Sequence, residues 1–129
     1  MTKISVALAV FNEQANIARC LDSVSGWVDE VVVVDGGSID ETRQIAKKYT
    51  DKVYQTDNKP IFHLNKQMAI DKCHGDWILQ LDADEVVEPS LKEEIIEITR
   101  NKDGNNLPVA YWIPRKNFFF PLSVSASTS

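Results

Sequence analysis

Glu30-Val31-Val32-Val33-Val34-Asp35-Gly36-Gly37-Ser38 is the stretch that decides the fold class. Branching at Cβ stiffens each valine side chain and favours extended backbone. Four valines in a row leave no polar face, so the strand they form is covered on both sides, as in the middle of a parallel sheet. Gly36-Gly37 supplies the turn. Ser38 and Glu41 have the spacing of a capping box, which predicts a helix to about Tyr49 with Ile45 and Ala46 inward.

The same grammar extends in both directions. Upstream, Ile4 to Phe11 reads as a second strand buried on both faces. Asn12 can cap the next helix, where Ile17, Cys20, Leu21 and Val24 recur at helical spacing, and Gly26 closes it. Downstream, Lys52 to Gln55 predicts a short strand, and Leu64 to Cys73 a helix with Leu64, Met68 and Ala69 inward. Gly75-Asp76 turns the chain into Trp77-Ile78-Leu79-Gln80-Leu81, an interior strand by its length. A helix from Pro89-Ser90 to about Arg100, a polar loop from Asn101 to Pro108 and a strand over Val109 to Ile113 complete the pattern. Strands alternating with helices make an α/β sandwich around a mainly parallel sheet.

In such sheets ligands collect beyond the carboxyl ends of the strands. Those ends carry Asn12-Glu13, Asp35-Gly36-Gly37 and Asp82-Ala83-Asp84, three polar clusters that the topology brings to one edge. If the last strand continued, Asp82 and Asp84 would point the same way, about 6.5 Å apart. At an effective dielectric of ~20 they would repel by roughly 2–3 kcal/mol, which a hard divalent cation relieves. A solvated acidic loop is the alternative. Asp35 offers a carboxylate to an N–H donor such as a pyrimidine ring, and the glycines beside it leave room for a ligand against the main chain. The spacing is neither a dinucleotide fingerprint nor a Walker-type phosphate loop.

A chain of 129 residues fits one domain. Its 26% charged and 43% hydrophobic content suits a water-soluble globular protein. The net charge of −5 argues against a nucleic-acid partner but not against a nucleotide held through a metal ion. Ile4 to Phe11 is too short for a secretory leader, and no run reaches the ~20 apolar residues of a membrane span. Cys20 and Cys73 lack metal-ligand spacing and read as reduced core thiols of a cytoplasmic protein. His63 and His74 read as surface residues, and Trp77 and Trp112 as packing anchors. Trp27 reads as exposed or packed against a loop, and Glu85 as solvated or as a support to the acidic pair.

Three segments in order resemble the successive motifs of family 2 glycosyltransferases: Val10-Phe11-Asn12-Glu13, then Val34-Asp35-Gly36-Gly37-Ser38-Ile39-Asp40-Glu41-Thr42, then Gly75 to Glu85. The resemblance covers about Thr2 to Phe120 and is nearest to bacterial lipopolysaccharide-core and cell-surface glucosyltransferases. It implies a GT-A fold, a nucleotide-sugar donor (most often a UDP-sugar) and a divalent cation, Mn2+ or Mg2+. Carried over, Phe11, Asn12 and Glu13 would border the nucleoside, with Glu13 near the ribose. Asp35 would hold the base, Lys66 would lie near the diphosphate, Asp82 would meet the ribose or metal-bound water, and Asp84 would coordinate the metal. The acceptor would be a glycan or lipid-linked glycan, and transfer would be inverting.

The resemblance also sets a boundary. Residues 1–120 would be the nucleotide-sugar-binding part, and 121–129 an unstructured serine-rich tail. The catalytic base of relatives lies farther downstream, so no base is assigned and the chain as it stands is expected to transfer no sugar. An uncovered flank around Phe118 to Phe120 would promote self-association. Two other classes compete. A phospho-acceptor signalling domain would need an acidic pair after the first strand, where Phe11-Asn12-Glu13 stands. A non-catalytic nucleotide-binding or membrane-peripheral protein would use Arg115, Lys116 and Phe118 to Phe120 at the inner face of the plasma membrane.

Overall fold

The computed structural model describes residues 3–57, 62–101, 111–113 and 117–121. Their elements run β1 (Ile4–Val10), α1 (Ile17–Val24), β2 (Glu30–Asp35), α2 (Thr42–Ala46), β3 (Val53–Gln55), α3 (Phe62–Asp71), β4 (Trp77–Leu81), α4 (Pro89–Asn101), β5 (Tyr111–Ile113) and β6 (Asn117–Pro121). They build one sheet in the order β3-β2-β1-β4-β6-β5. The first four strands in that order are parallel, whereas β6 runs antiparallel to both β4 and β5.

Both faces of the central strands are covered, as the valine run requires. All seven residues of β1 are buried. On one face Val6, Leu8, Val10, Val33, Leu79 and Leu81 pack with Ile17, Cys20, Leu21 and Val24 of α1, Ala46 of α2 and Ile95 of α4. On the other, Ala7, Val32, Val34 and Ile78 pack with Ala69 and Ile70 of α3 and with Cys73 just beyond it. The result is three layers, helix–sheet–helix. Burial of each large aliphatic side chain contributes about 1.5–3 kcal/mol, so this double core is the main source of stability. Trp77 is 1% exposed and lies in the first core; Trp27 is partly buried against it, with Nε1 donating to the Ser23 carbonyl at 2.9 Å.

The strand order locates the functional edge. From β1 the chain moves outward through β2 to β3, then returns to place β4 on the other side of β1. The connections on either side of β1 and β4 therefore diverge, leaving a crevice beyond their carboxyl ends.

Several local expectations are corrected. Asn12 does not cap α1: the helix starts at Ile17 after Asn16, with no side-chain cap bond. Asn12 instead occupies the left-handed region at φ 53°, which asparagine tolerates better than most residues. The capping box before α2 does not form, since Ser38 Oγ accepts from Asn12 N and Glu41 N donates to Gln14 Oε1, and that helix is only five residues long. Asp40 takes over, its Oδ1 accepting from Thr42 N at 3.0 Å and Thr42 Oγ1 at 2.5 Å. On α3 the inward face includes Asn65, Ala69 and Ile70, while Leu64 is 42% exposed. Pro121, assigned by sequence to the tail, is the last residue of β6, and the backbone of Phe118–Phe120 is paired with β4. Trp112 and Phe118 are register partners in the backbone of the β5–β6 pair. Arg115, Lys116 and residues 122–129 lie outside the described residues, as do 102–110 of the expected polar loop and last strand.

Candidate functional site

The β1–α1 and β2–α2 connections are laced together by bonds in both directions. Asn12 N donates to Ser38 Oγ at 2.7 Å, and Ile39 N donates back to Asn12 Oδ1 at 3.0 Å. Glu13 N donates to Thr42 Oγ1 at 2.8 Å. Gln14 N donates to Asp40 Oδ2 at 3.3 Å, while Glu41 N donates to Gln14 Oε1 at 2.9 Å. Each bond satisfies a loop donor that neither helix nor sheet can serve. The Thr42 and Gln14 bonds also outweigh the opposing effect of burial and hold the Asp40 carboxyl below the usual carboxylate range.

Asp35 is the anchor of this lacing. It is completely buried, and its Oδ2 accepts from Gly37 N at 3.0 Å and Ser38 N at 2.8 Å. Its Oδ1 accepts the Ser38 hydroxyl at 2.5 Å, and Arg43 Nη1 lies 3.4 Å from Oδ2. Gly37 has φ +105°, and a Cβ there would sit 3.3 Å from the Thr56 carbonyl, so glycine suits the turn on both counts. The sequence reading had Asp35 facing a base edge. In this structure the carboxylate is folded onto its own loop, and a base N–H could reach it only after the loop moved.

At the neighbouring strand end β4 stops at Leu81, so strand alternation does not carry through to Asp82 and Asp84. The chain turns instead. Glu85 N donates to the Asp82 carbonyl at 3.0 Å, and Asp82 N donates to Glu85 Oε1 at 3.0 Å. The Cys20 thiol, from α1, approaches the same carbonyl at 3.6 Å. Ala83 is buried at 3% exposure and pins the turn, whereas Asp84 is exposed and Asp82 half-exposed. Lys66 reaches across from α3, its Nζ 3.3 Å from Asp82 Oδ1.

Burial, and then the fields of Glu85, Asp84, Asp82 and Glu13, push the Cys20 thiol up to about 12. The thiol thus lies in the field of carboxylates at the ends of β1 and β4. Of these, Glu85 was left undecided by sequence; its burial and its bond to Asp82 N make it the support of the turn. Phe11 and Glu13 are partly buried at the β1 end, and Asn12 is exposed.

The donor set is two accessible carboxylates on a tight turn, with no thiolate or imidazole. Oxygen donors suit Mg2+ or Mn2+ rather than zinc. Among the described residues no group of three or more His, Cys, Asp or Glu side chains is arranged to hold an ion alone. A hard cation that keeps several waters and shares phosphate oxygens needs only one or two protein carboxylates, so Asp82 and Asp84 fit it.

The opposite end of the sheet is differently built. A cleft of about 270 Å³ opens there, lined by Gly26, Glu30, Tyr49 and Lys52 among others. Glu30 accepts from Ser5 Oγ and His74 N, both at 2.6 Å, and pairs with Lys52. Burial raises its pKa, but the bonds from Lys52, Ser5 and His74 outweigh this and hold it at about 2. His63 and His74 are exposed, and Cys20 and Cys73 are free and buried, as the sequence reading expects. No helix among the described residues is long and apolar enough to cross a membrane.

Residues 5–126 match the family described as Glycosyl transferase family 2. The chain is similar to an uncharacterised glycosyltransferase of Rickettsia typhi, with 41% identity over 107 residues, covering 80% of this chain and 36% of that protein. It thus spans little more than a third of that relative's length. Among solved structures, TarS of S. aureus in complex with UDP-GlcNAc superposes with a TM-score of 0.73 at 18% identity, over 98% of this chain and 47% of that one. Glucosyl-3-phosphoglycerate synthase from Mycobacterium tuberculosis, in complex with Mg2+ and UDP, gives a TM-score of 0.66 at 18% identity, over 95% of this chain and 57% of that one. At these identities the two structures establish a shared α/β fold.

Proposed function

The chain belongs to glycosyl transferase family 2, and from that premise we propose that its carboxyl-edge loops are the donor half of a sugar-transfer site. The observation that carries this reading is geometric: the laced β1–α1 and β2–α2 loops and the acidic Asp82–Glu85 turn lie together at the carboxyl ends of the strands, at the β1/β4 crevice where parallel sheets bind ligands. The donor class is a nucleotide-sugar, with UDP as the favoured nucleotide because both solved neighbours carry it.

Each residue then has a task. Phe11 and Glu13 border the nucleoside, with Glu13 toward the ribose. Asn12 and Asp35 hold the two loops at the spacing a base would enter, and Asp35 itself meets a base only through loop movement. Lys66 lies toward the diphosphate. Asp82 and Asp84 hold Mn2+ or Mg2+, which when bound supplies the charge that neutralises a departing nucleoside diphosphate. For the whole protein we propose inverting transfer to a hydroxyl of a glycan or lipid-linked glycan, in cell-surface polysaccharide or lipopolysaccharide synthesis. An inverting displacement requires a base on the face opposite the leaving group, and none of the residues named here takes that role.

Binding to the native state raises the melting temperature by mass action. A thermal-shift series with UDP, with Mn2+ and with both should show its largest shift for the pair. In Asp84→Asn the paired shift should collapse while the unliganded stability stays within the range of a surface change, about 0.5 kcal/mol. Equal UDP shifts with and without Mn2+ would overturn the metal assignment, and no shift under any condition would overturn the donor site.

A further inference from the structure

Asp82 already has a cation beside it. Lys66 Nζ lies 3.3 Å from Asp82 Oδ1, and the two side chains are 33% and 50% exposed. They come from different layers, Lys66 from α3 on one face of the sheet and Asp82 from the turn after β4. Asp82 cannot easily withdraw, because Glu85 holds its backbone amide and carbonyl and Cys20 touches the same carbonyl. A cation that binds Oδ1 of this carboxylate therefore occupies or shares the place where the ammonium stands. An ion pair with this much solvent contact is weak and readily exchanged.

We infer that Lys66 is the resident counter-ion of Asp82, displaced when metal and diphosphate arrive, and that it couples their binding. This rests on the donor-site reading above. With Lys66 on Asp82, an approaching divalent cation meets one uncompensated carboxylate, Asp84, in place of two. A diphosphate offers the ammonium richer charge-assisted hydrogen bonds than a single carboxylate oxygen. Drawing Lys66 onto phosphate releases Asp82 to the metal, and metal on Asp82 releases Lys66 to phosphate. Coupling of this kind is reciprocal by linkage. It also gives an order of events: metal alone binds poorly, and the pair binds well.

The test is a thermodynamic cycle on the chain as it stands. Free Mn2+ is followed by electron paramagnetic resonance during titration with and without UDP, in wild type, Lys66→Met and Lys66→Arg. Lys66→Met should bind Mn2+ alone more tightly, by up to about fivefold, the range available from removing an exposed ion pair. The factor by which UDP strengthens Mn2+ binding should fall by at least as much, and Lys66→Arg should retain most of it. A Lys66→Met chain whose affinity for Mn2+ alone is unchanged or weaker overturns the exchange and leaves the donor site standing. So does a coupling factor equal to that of wild type. Wild-type protein that binds neither Mn2+ nor UDP removes the donor-site reading, and the exchange with it.

Discussion

Asp82 and Glu85 hold each other through a closed pair of hydrogen bonds, amide to side-chain carboxylate in one direction and amide to carbonyl in the other, both 3.0 Å long. The pair explains why the acidic cluster stays where it is. Asp82, Asp84 and Glu85 stand within four residues, and at an effective dielectric of ~20 two like charges a few ångströms apart repel by a few kcal/mol. Glu85 places one of those charges to work against that repulsion, since its oxygen is the acceptor that fixes Asp82.

Replacing Glu85 by Ala removes that acceptor and leaves the Asp82 amide without it. The expected cost is about 1–3 kcal/mol, the range for an orphaned partly buried donor. Glu85→Gln, which keeps a carbonyl acceptor, should lose less than half as much. Urea denaturation of the three proteins checks this. An alanine variant as stable as wild type would mean that the turn is held by Ala83 and Cys20 alone.

Asn12 carries both a left-handed backbone and a bond across the loops. Asn12→Ala loses the Ile39 bond and gains the strain of alanine at φ 53°, so a loss of about 2 kcal/mol is expected. Asn12→Gly loses only the bond and should fall nearer 1 kcal/mol. The order Ala below Gly below Asn, measured by chemical denaturation, is the expected result. Glycine less stable than alanine would contradict the left-handed assignment.

Glu30 predicts a pH dependence at the other end of the sheet. Its folded pKa of about 2 lies below the ordinary 4.5, because the bonds from Lys52, Ser5 and His74 outweigh burial. A depressed carboxylate pKa contributes stability above the unfolded value and loses it as pH falls through the folded one. The gap in melting temperature between wild type and Glu30→Gln should therefore be full above about pH 4.5 and narrow steadily toward pH 2. A gap independent of pH over that window would show that Glu30 acts by shape and not by charge.

What the sequence shows of this protein is mostly what is local. The valines of β2, the apolar β1 and the short β4 are continuous runs, and each announces a strand covered on both faces. The polar clusters after them are legible because strand ends follow runs. The failures are non-local. Asn12 reads as a helix cap, yet its side chain is claimed by Ile39, 27 positions away. Ser38 reads as half of a capping box, but its oxygen accepts from Asn12 N, 26 positions away, while Glu41 N is taken by Gln14. Alternation predicts Asp82 and Asp84 side by side on a strand, and the Glu85 bond ends the strand first. The helical face of α3 is shifted because Asn65 is buried beside Thr56, whose Oγ1 lies 3.1 Å from its Oδ1, and Leu64 turns outward. Glu30 looks like an ordinary polar strand end until Ser5, Lys52 and His74 close around it.

The central claim is that metal and nucleotide meet at the carboxyl ends of β1 and β4. Mn2+ broadens nuclear resonances close to it, so its effect on the amide spectrum of the UDP-saturated chain maps the site directly. The account predicts that the amides of Asn12, Glu13 and Asp82 to Glu85 vanish at substoichiometric Mn2+, while those of Glu30, Lys52 and Gly75 at the opposite end persist. Broadening centred on Glu30 and Lys52, or spread evenly over the acidic surface, would contradict it.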